Sequence, residues 1–580
     1  MSEAIVCLKF GSSVLRSAAD LPWCVQQIYA HVRRGERVVA VVSAFAGVTD
    51  SLYARAREHG ADEHATAALV ATGEQEAAAL LALALDRCGV PARLLAPSQV
   101  RLRTRGPVLD AEPADVTTQP FVDALAACPV VVFPGFCGVG ADGHTTLLGR
   151  GGSDLTALFL AERLAARCVL VKDVDGLYER DPALPGPTPS RYARLGWEDA
   201  LRVGGRVVQP KTLRTARLHG RSVEIRAIGA PHGTVVGPHS AQLAAPVAPR
   251  RLKVALLGLG VVGAGVYERL RQRPDLFDVV AIAVRSPARH EQRGVPADLL
   301  TTDPWTALAA APDVVVEALG GATPAAELLL AALHDGRHVV TANKAALAVN
   351  HARFAPFLAG PAPRLRASAS VGGAVPVLEA LDALLAGPGA PRLASVRGVV
   401  NGTCNFVLDR LADGLDLASA IAEAQAAGYA EPDPTFDVSG QDAAHKLQLI
   451  VARATGHLPD AVEVQGLDEH TAEAQRDAIS AGRRVKLVAS WHGATARVEL
   501  ESLPADDPLA AARAEENVVE FVLTDGTIRR VAGRGAGRAP TTTAVVADLL
   551  DVLGDFHRNA TGSEAAAGEA ALPARRAAQG

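Results

Sequence analysis

KVALLGLGVVGAGVY, residues 253–267, decides the architecture of this 580-residue chain. A short apolar run leads into Gly258-x-Gly260-x-x-Gly263, with Val262 just before the last glycine, and the helical run GVYERLRQR follows. Strand, tight turn and helix N-terminus in that order form a cradle for a pyrophosphate, because the glycines let backbone approach the phosphates and the helix end favours their charge. A glycine motif alone is a weak signal; here the flanking strand and helix support it. The next strand, VVAIAVRS, ends on Arg285 and Ser286 where an NAD enzyme would carry an acid for the ribose hydroxyls. A cationic end suits the extra phosphate of NADP; NAD remains the alternative, and a solvated basic loop would read the same. The motif lies mid-chain, so a dinucleotide enzyme starts near residue 250 with a different unit fused in front of it.

The length suggests roughly three to five domains. Net charge is −5 with both signs interspersed, which gives no footprint for nucleic acid or a membrane surface. No uninterrupted apolar run of about 18 residues occurs, and the opening MSEAIVCLKFG does not read as a signal peptide. Seven cysteines lie scattered in apolar surroundings without a C-x-x-C pair, which suits a reduced, cytoplasmic protein. AIVCLKFG, RVVAVVSA, PVVVFPGF and RCVLVKDVDG read as buried parallel strands, with WCVQQIYAHVRR, HATAALVATGEQEAAALLALALDR and SDLTALFLAERLAA as the helices between them. The expected organisation is a three-layer α/β domain over 1–237, a linker over 238–250, a Rossmann dinucleotide-binding domain over 251–364, and an α+β substrate and dimerisation domain over 365–550. Residues 551–580 read as a tail, disordered at its end.

The second half carries VVTANKAAL (339–347), ASASVGGAVPVLEAL (367–381), VRGVVNGTCNFVLDRL (396–411), AQAAGYAEPDPTFDVSGQDAAHKLQLIVA (424–452) and GRGAGRAPTTTAVVADL (533–549). Together these resemble homoserine dehydrogenase. The resemblance implies reversible reduction of aspartate 4-semialdehyde to homoserine by NAD(P)H. The residues suit such chemistry on their own terms. Lys344 follows a strand end, where ligands bind in α/β sheets. Asp442 and Lys446 share a helix face, four residues apart. Glu431 and Asp437 lie in the Pro-rich loop before that helix. A substrate bearing an ammonium and a carboxylate needs this mixture of signs. By resemblance, Glu431 and Asp442 bind the substrate's amino and hydroxyl ends, and Lys344 and Lys446 are the two catalytic lysines. Thr341, Asn343 and Gly402 line the nicotinamide side, while Gly320 and Gly321 close over the dinucleotide. Val371 and Gly373 match carbonyl ligands of a loop that holds sodium or potassium, but Ser368 stands where the family carries an acid.

The first half carries KFGSSVL (9–15), VVSAFAGVTDSL (41–52), ATGE (71–74), TTLLGRGGSDLTA (145–157), VKDVDGLYERDP (171–182) and RVVQPKTLRTA (206–216). These pieces are similar to the amino-acid kinase fold and most of all to aspartate kinase. The resemblance implies phosphorylation of the aspartate side-chain carboxylate by ATP with Mg2+. Lys9 sets an ammonium beside a glycine turn, suited to transferred phosphate charge. GRGGSD opens a helix, and Asp154 would orient Lys9 or receive magnesium. Glu74, Arg150, Ser43 and Thr49 are expected to contact substrate. Lys172, Asp173, Asp175, Tyr178, Arg180 and Lys211 are expected to border the nucleotide. Two positions depart from the family: the chain reads KFGSSVL where KFGGTSV is usual, and Gln209 replaces a histidine.

No paired small regulatory domain is expected between HGTVVG and RLKVALLG, which a short linker joins, or in the tail after the dehydrogenase half. Strong feedback inhibition by threonine is therefore not expected. Two readings follow. One is a bifunctional enzyme acting on small molecules, as a homodimer or homotetramer whose interface the runs VRGVVNGT and RVEL suit. The other is a dehydrogenase whose inactive front domain serves assembly or regulation.

Overall fold

The computed structural model describes residues 4–570 except 188, 206, 246–249, 359–363, 388 and 431, with side chains up to 558. Among the described residues the front unit is built on a nine-stranded sheet. Its centre is Arg167–Lys172, Ile5–Phe10, Arg37–Val42 and Val130–Pro134, all parallel. These strands are buried along almost their whole length, as continuous β-branched runs require. Helices Leu21–Arg33, Glu63–Arg87 and Gly152–Arg163 cover the faces where the hydrophobic pattern puts them. Glu63–Arg87 is long and apolar enough to cross a membrane by composition. It packs instead through Ala77, Ala78, Leu81 and Leu85 into the core of this domain, and through Val70 into a smaller cluster with Phe136 and Leu147.

The second unit is a six-stranded parallel sheet. Its order is Leu300–Thr301, Phe277–Ala283, Leu252–Leu257, Val314–Glu317, His338–Thr341, Leu365–Arg366. Chain order reverses between Leu252–Leu257 and Val314–Glu317, which opens a crevice at the carboxyl ends of those strands. The third unit is a six-stranded, largely antiparallel sheet around Leu393–Val399, Arg483–His492 and Glu516–Leu523. Helices Gly402–Ala412, Gln441–Thr455 and Thr471–Ser480 pack on it through one contiguous core. The sequence-read layers therefore stand: a kinase-like α/β domain, a Rossmann domain and an α+β domain.

Two boundary expectations are corrected. The helix Arg538–Ala570 runs straight through position 550, so residues after it do not begin a tail. Val545, Leu549, Val552 and Leu553 are buried against the dinucleotide sheet and against helix Leu21–Arg33 of the front domain. Each such side chain contributes ~1.5–3 kcal/mol by leaving water, and that apolar stripe continues past the boundary. Residues 571–580 lie outside the described residues. The presumed linker also takes part in the fold, since Gln242–Leu243 adds an antiparallel edge to Tyr192–Gly196.

The front domain is docked closely on the dinucleotide domain. One hydrophobic cluster includes Trp23, Ile28, Leu270, Phe277 and Leu549. The Trp23 indole N–H donates to Gln272 at 2.9 Å, and the Arg269 guanidinium donates to the Pro22 carbonyl at 2.8 Å.

Candidate functional sites

At the switch point the first and last glycines of the motif are sterically obligatory. Gly258 has φ +97°, and a Cβ there would lie 2.6 Å from the Ala318 carbonyl oxygen. A Cβ on Gly263 would lie 2.1 Å from the Gly258 oxygen. The Cβ position of Gly260 has nothing within 4 Å. This is a tight turn with an open mouth at the N-terminus of helix Val261–Arg271, which has no side-chain cap. The free N–H groups of that first turn, Val262 among them, suit a pyrophosphate. Arg285 is exposed at the end of the second strand, where a ribose phosphate would lie. Gly320 and Gly321 both have positive φ, which turns the chain away from the fourth strand.

Glu317 ends that fourth strand and is fully buried; it was not legible as a functional residue. Its carboxylate accepts from the N–H of Leu319 (2.7 Å) and Gly320 (3.3 Å), the Thr341 hydroxyl (2.5 Å) and the Asn343 amide (3.2 Å). These bonds satisfy a charge that burial would otherwise make costly. They also lock the turn that delivers Lys344. Asn343 caps the helix Lys344–Val349 through Ala346 N–H at 3.1 Å, so Lys344 is its first residue. The only earlier sign of Glu317 was an acid closing an otherwise apolar strand, DVVVEALGG.

Lys344 crosses to the third unit. Its ammonium lies 2.9 Å from Asp442 Oδ1, and the Lys446 ammonium lies 2.9 Å from Asp442 Oδ2. Asp442 and Lys446 are buried, whereas Lys344 is partly open. The expected i,i+4 pair is thus present on helix Gln441–Thr455, with Lys344 joined to it from the dinucleotide domain. Lys446 also donates to the Val400 carbonyl at 2.7 Å. Asn401, which caps the helix carrying Gly402, donates to Asp442 (2.8 Å) and to Asp437 (2.9 Å). The Thr403 hydroxyl contacts Asp437 at 3.2 Å. Neither Asn401 nor Thr403 had been singled out. Asp437 sits on the short helix Thr435–Val438 and not in a loop, because Pro434 starts a turn there. Glu431 lies outside the described residues.

Burial would raise Asp442, but the ammoniums of Lys446 and Lys344 overcome it and hold the carboxyl well below the usual range. Asp437 moves the other way: burial and the neighbouring Asp442 charge raise it, with Asn401 and the lysines opposing. Two carboxyl groups pushed apart in this manner are typical of a reaction centre.

The front domain encloses a cavity of about 1330 Å³. Lys9, Ser43, Thr49, Glu74, Arg150, Asp154, Lys172, Asp173, Tyr178 and Arg180 all line it. Lys9, at the end of strand Ile5–Phe10, places its ammonium 2.7 Å from Asp154 Oδ1, and Lys172 lies 2.9 Å from Oδ2. Burial raises Asp154, and the two ammoniums override it to hold the group low. Both of its oxygens are therefore engaged by lysines. Gly151, with φ +79°, caps the helix that starts beside Asp154. Burial pushes the Glu74 carboxyl up to about 7. One of its oxygens accepts from the Ala44 N–H at 3.2 Å, and the other is buried without a partner among the described residues.

Two expected nucleotide contacts do not line that cavity. Asp175 accepts from the Tyr178 hydroxyl at 2.6 Å and so steadies a cavity residue. Lys211 is drawn to Asp110 (3.0 Å) and to the Leu148 carbonyl (3.1 Å), because its helix starts behind the glycine turn.

The loop read as a cation site does not fit one. Val371 lies inside the helical turn Ser368–Gly372, and Gly373 abuts the Gly535 carbonyl. The acid in contact with that turn, Asp548, is already bonded to the Ser368 N–H, to its hydroxyl and to the Arg33 guanidinium. A protein cation balances the charge there, and no step is derived through a metal ion.

Three family matches agree with this geometry. Residues 4–227 match the amino acid kinase family, 258–359 the NAD binding domain of homoserine dehydrogenase, and 376–550 the homoserine dehydrogenase family itself. The chain is 35% identical over 328 residues to a homoserine dehydrogenase of Synechocystis sp., spanning 52% of this chain and 73% of that one. It is 37% identical over 319 residues to a homoserine dehydrogenase of Corynebacterium glutamicum, spanning 51% and 71%. A solved homoserine dehydrogenase from Thiobacillus denitrificans is 35% identical over 52% of this chain and 73% of its own, with a TM-score of 0.47. The chain belongs to the homoserine dehydrogenase family and carries an amino acid kinase family domain fused in front, the architecture of a bifunctional aspartate kinase/homoserine dehydrogenase.

Proposed function

We propose that the chain interconverts aspartate 4-semialdehyde and homoserine with NADP(H), and that its front domain phosphorylates the side-chain carboxylate of aspartate with MgATP. The observation that carries the first activity is the Asp442 carboxylate held between Lys344 and Lys446, at 2.9 Å from each, beside a dinucleotide cradle. Gly258, Gly260, Gly263 and the first turn of helix Val261–Arg271 would hold the pyrophosphate, and Arg285 the ribose phosphate. When bound, the dihydronicotinamide supplies a hydride to the aldehyde carbon. The lysine ammoniums stabilise the charge developing on the aldehyde oxygen, and one of them passes a proton to it. Asp442 pairs with both lysines and aims them, and Glu431 and Asp437 supply negative charge for the substrate ammonium. Gly402, Thr341 and Asn343 form the wall on the nicotinamide side.

The kinase activity is supported by Lys9, Asp154 and Lys172 meeting in a cavity with Glu74. Here Lys9 and Lys172 neutralise charge on the transferred phosphoryl group. Arg150 and Glu74 take the carboxylate and the ammonium of the amino acid, while Ser43 and Thr49 complete its pocket. Tyr178, Arg180 and Asp173 border the nucleotide. Hydroxylamine trapping of the acyl phosphate tests this reading. Aspartyl hydroxamate formed with ATP, magnesium and aspartate, and absent in Lys9→Met, supports it. Protein that oxidises homoserine with NADP but yields no hydroxamate leaves a front domain serving assembly. The close docking of helix Leu21–Arg33 on the dehydrogenase favours that second reading.

A further inference from the structure

Arg33 ends the first helix of the kinase-like domain, yet all its carboxylate partners belong to the dehydrogenase half. The side chain is 7% exposed. Its Nε and one terminal nitrogen donate to Glu379 at 2.9 and 2.7 Å. The same terminal nitrogen lies 2.6 Å from Asp548 and 3.0 Å from the Ser368 hydroxyl, and the other lies 3.1 Å from Asp551. A planar fork can engage this many acceptors at once; an ammonium cannot.

These acceptors hold one end of the turn Ser368–Gly372. Asp548, fully buried, fixes both the N–H and the hydroxyl of Ser368. Two residues on, the Ser370 hydroxyl donates to the Thr341 carbonyl at 3.0 Å. Thr341 is bonded to Glu317 and to the Asn343 N–H, and Asn343 caps the helix that begins with Lys344. A continuous series of bonded groups thus leads from the front domain to the lysine beside Asp442.

We propose that Arg33 is a positioning residue for the dehydrogenase reaction, contributed by the kinase-like domain and acting through Asp548, Ser368, Ser370 and Thr341 on Lys344. The proposal rests on the dehydrogenase reading above and holds whether or not the front domain turns over. It also gives Ser368 a role: with a serine in place of an acid, the carboxylate comes from Asp548 and the counter-charge from another domain. Two clefts, of about 240 and 350 Å³, are both lined by Arg33, Glu379 and Asp551. Removing the Arg33 side chain would therefore open the carboxylates to a small cation from solvent.

The test uses the full chain. Arg33→Ala is expected to lower kcat for homoserine oxidation about tenfold, within the range that coupling through a packed network delivers. The dissociation constant for NADPH should change much less than kcat, because the glycine cradle that holds the pyrophosphate is not in the series and only the nicotinamide wall at Thr341 and Asn343 is. Low-millimolar guanidinium should restore most of the lost rate in Arg33→Ala and none in the parent, a response that general destabilisation does not give. Ser370→Ala should reproduce the kcat loss, and the double variant should be no slower than the worse single one. Should Arg33→Ala not fold, Arg33→Lys carries the same kcat test, since it keeps the charge without the fork. A parental kcat in the folded Arg33 variant, failure of guanidinium to rescue, or losses that multiply in the double variant overturns the proposal. A parent inactive on homoserine overturns both the proposal and the reading beneath it.

Discussion

Replacing Asp442 by Asn should uncouple the two lysines at the dehydrogenase centre. In the parent, each carboxylate oxygen accepts from one ammonium at 2.9 Å, and one also accepts from Asn401 at 2.8 Å. An amide retains one accepting oxygen and turns an NH2 towards the remaining donors. One charge-assisted bond is lost, about 1.5–3 kcal/mol, and a donor faces a donor in a buried site. The two ammoniums then repel each other without a counter-charge between them. If about 2.7 kcal/mol of this falls on the transition state, kcat drops about 100-fold. Homoserine oxidation followed by NADPH absorbance gives kcat and KM, and fluorescence titration gives NADPH affinity, which should hold. The same substitution has a stability signature. Asp442 is held below its ordinary range in the folded protein. Its contribution is therefore complete above the unfolded carboxylate pKa of ~4 and is lost as pH falls below it. The Tm gap between parent and Asp442→Asn should be widest near neutrality and should shrink towards pH 3. A folded variant with kcat within threefold of the parent would refute the reasoning, because the lysines would then need no shared carboxylate.

Other outcomes follow from the same geometry. Because Glu74 is raised to about 7, the kinase KM for aspartate should climb as pH drops below that value, where the protonated carboxyl no longer attracts an ammonium; a flat profile between pH 6 and 8 contradicts its substrate role. Arg285→Asp should shift the preference from NADP towards NAD by about tenfold to a hundredfold, the worth of one charge-assisted bond; an unchanged ratio of kcat/KM for the two cofactors places the ribose phosphate elsewhere. Threonine at millimolar concentration should leave both rates unchanged, since the segment between the kinase sheet and the glycine motif adds only the edge strand Gln242–Leu243 among the described residues. Half-inhibition at micromolar threonine would show a receptor hidden in these domains.

The readable parts of the chain share a physical property: they depend on neighbours in sequence. Strands buried on both faces announce themselves as β-branched runs, as in RVVAVV and VVVFP. The glycine turn is legible because sterics within a few residues demand it: Gly263 crowds the oxygen of Gly258. Asp442 and Lys446 are paired by helix geometry alone, at i and i+4. Lys9, Asp154 and Lys172 were each identifiable from their own short motif.

What tertiary structure decided are meetings across long separations. That Asp442 takes Lys344 as well as Lys446, that Glu317 serves both the turn after its strand and Thr341, and that Lys211 faces Asp110 could not be read locally. Each depends on the order and twist of whole sheets. The sequence ends the last domain at 550 because alanine-rich, polar sequence after it resembles a tail; the helix Arg538–Ala570 runs across that boundary and packs on the dinucleotide domain. Arg33 is the clearest instance. Near the end of an amphipathic helix it reads as an ordinary surface cation, and only the docking of one domain on another makes it a buried fork among Glu379, Asp548 and Asp551. Local sterics and periodicity are written in the chain itself, whereas the pairing of charges over hundreds of residues exists only once apolar faces have chosen their partners.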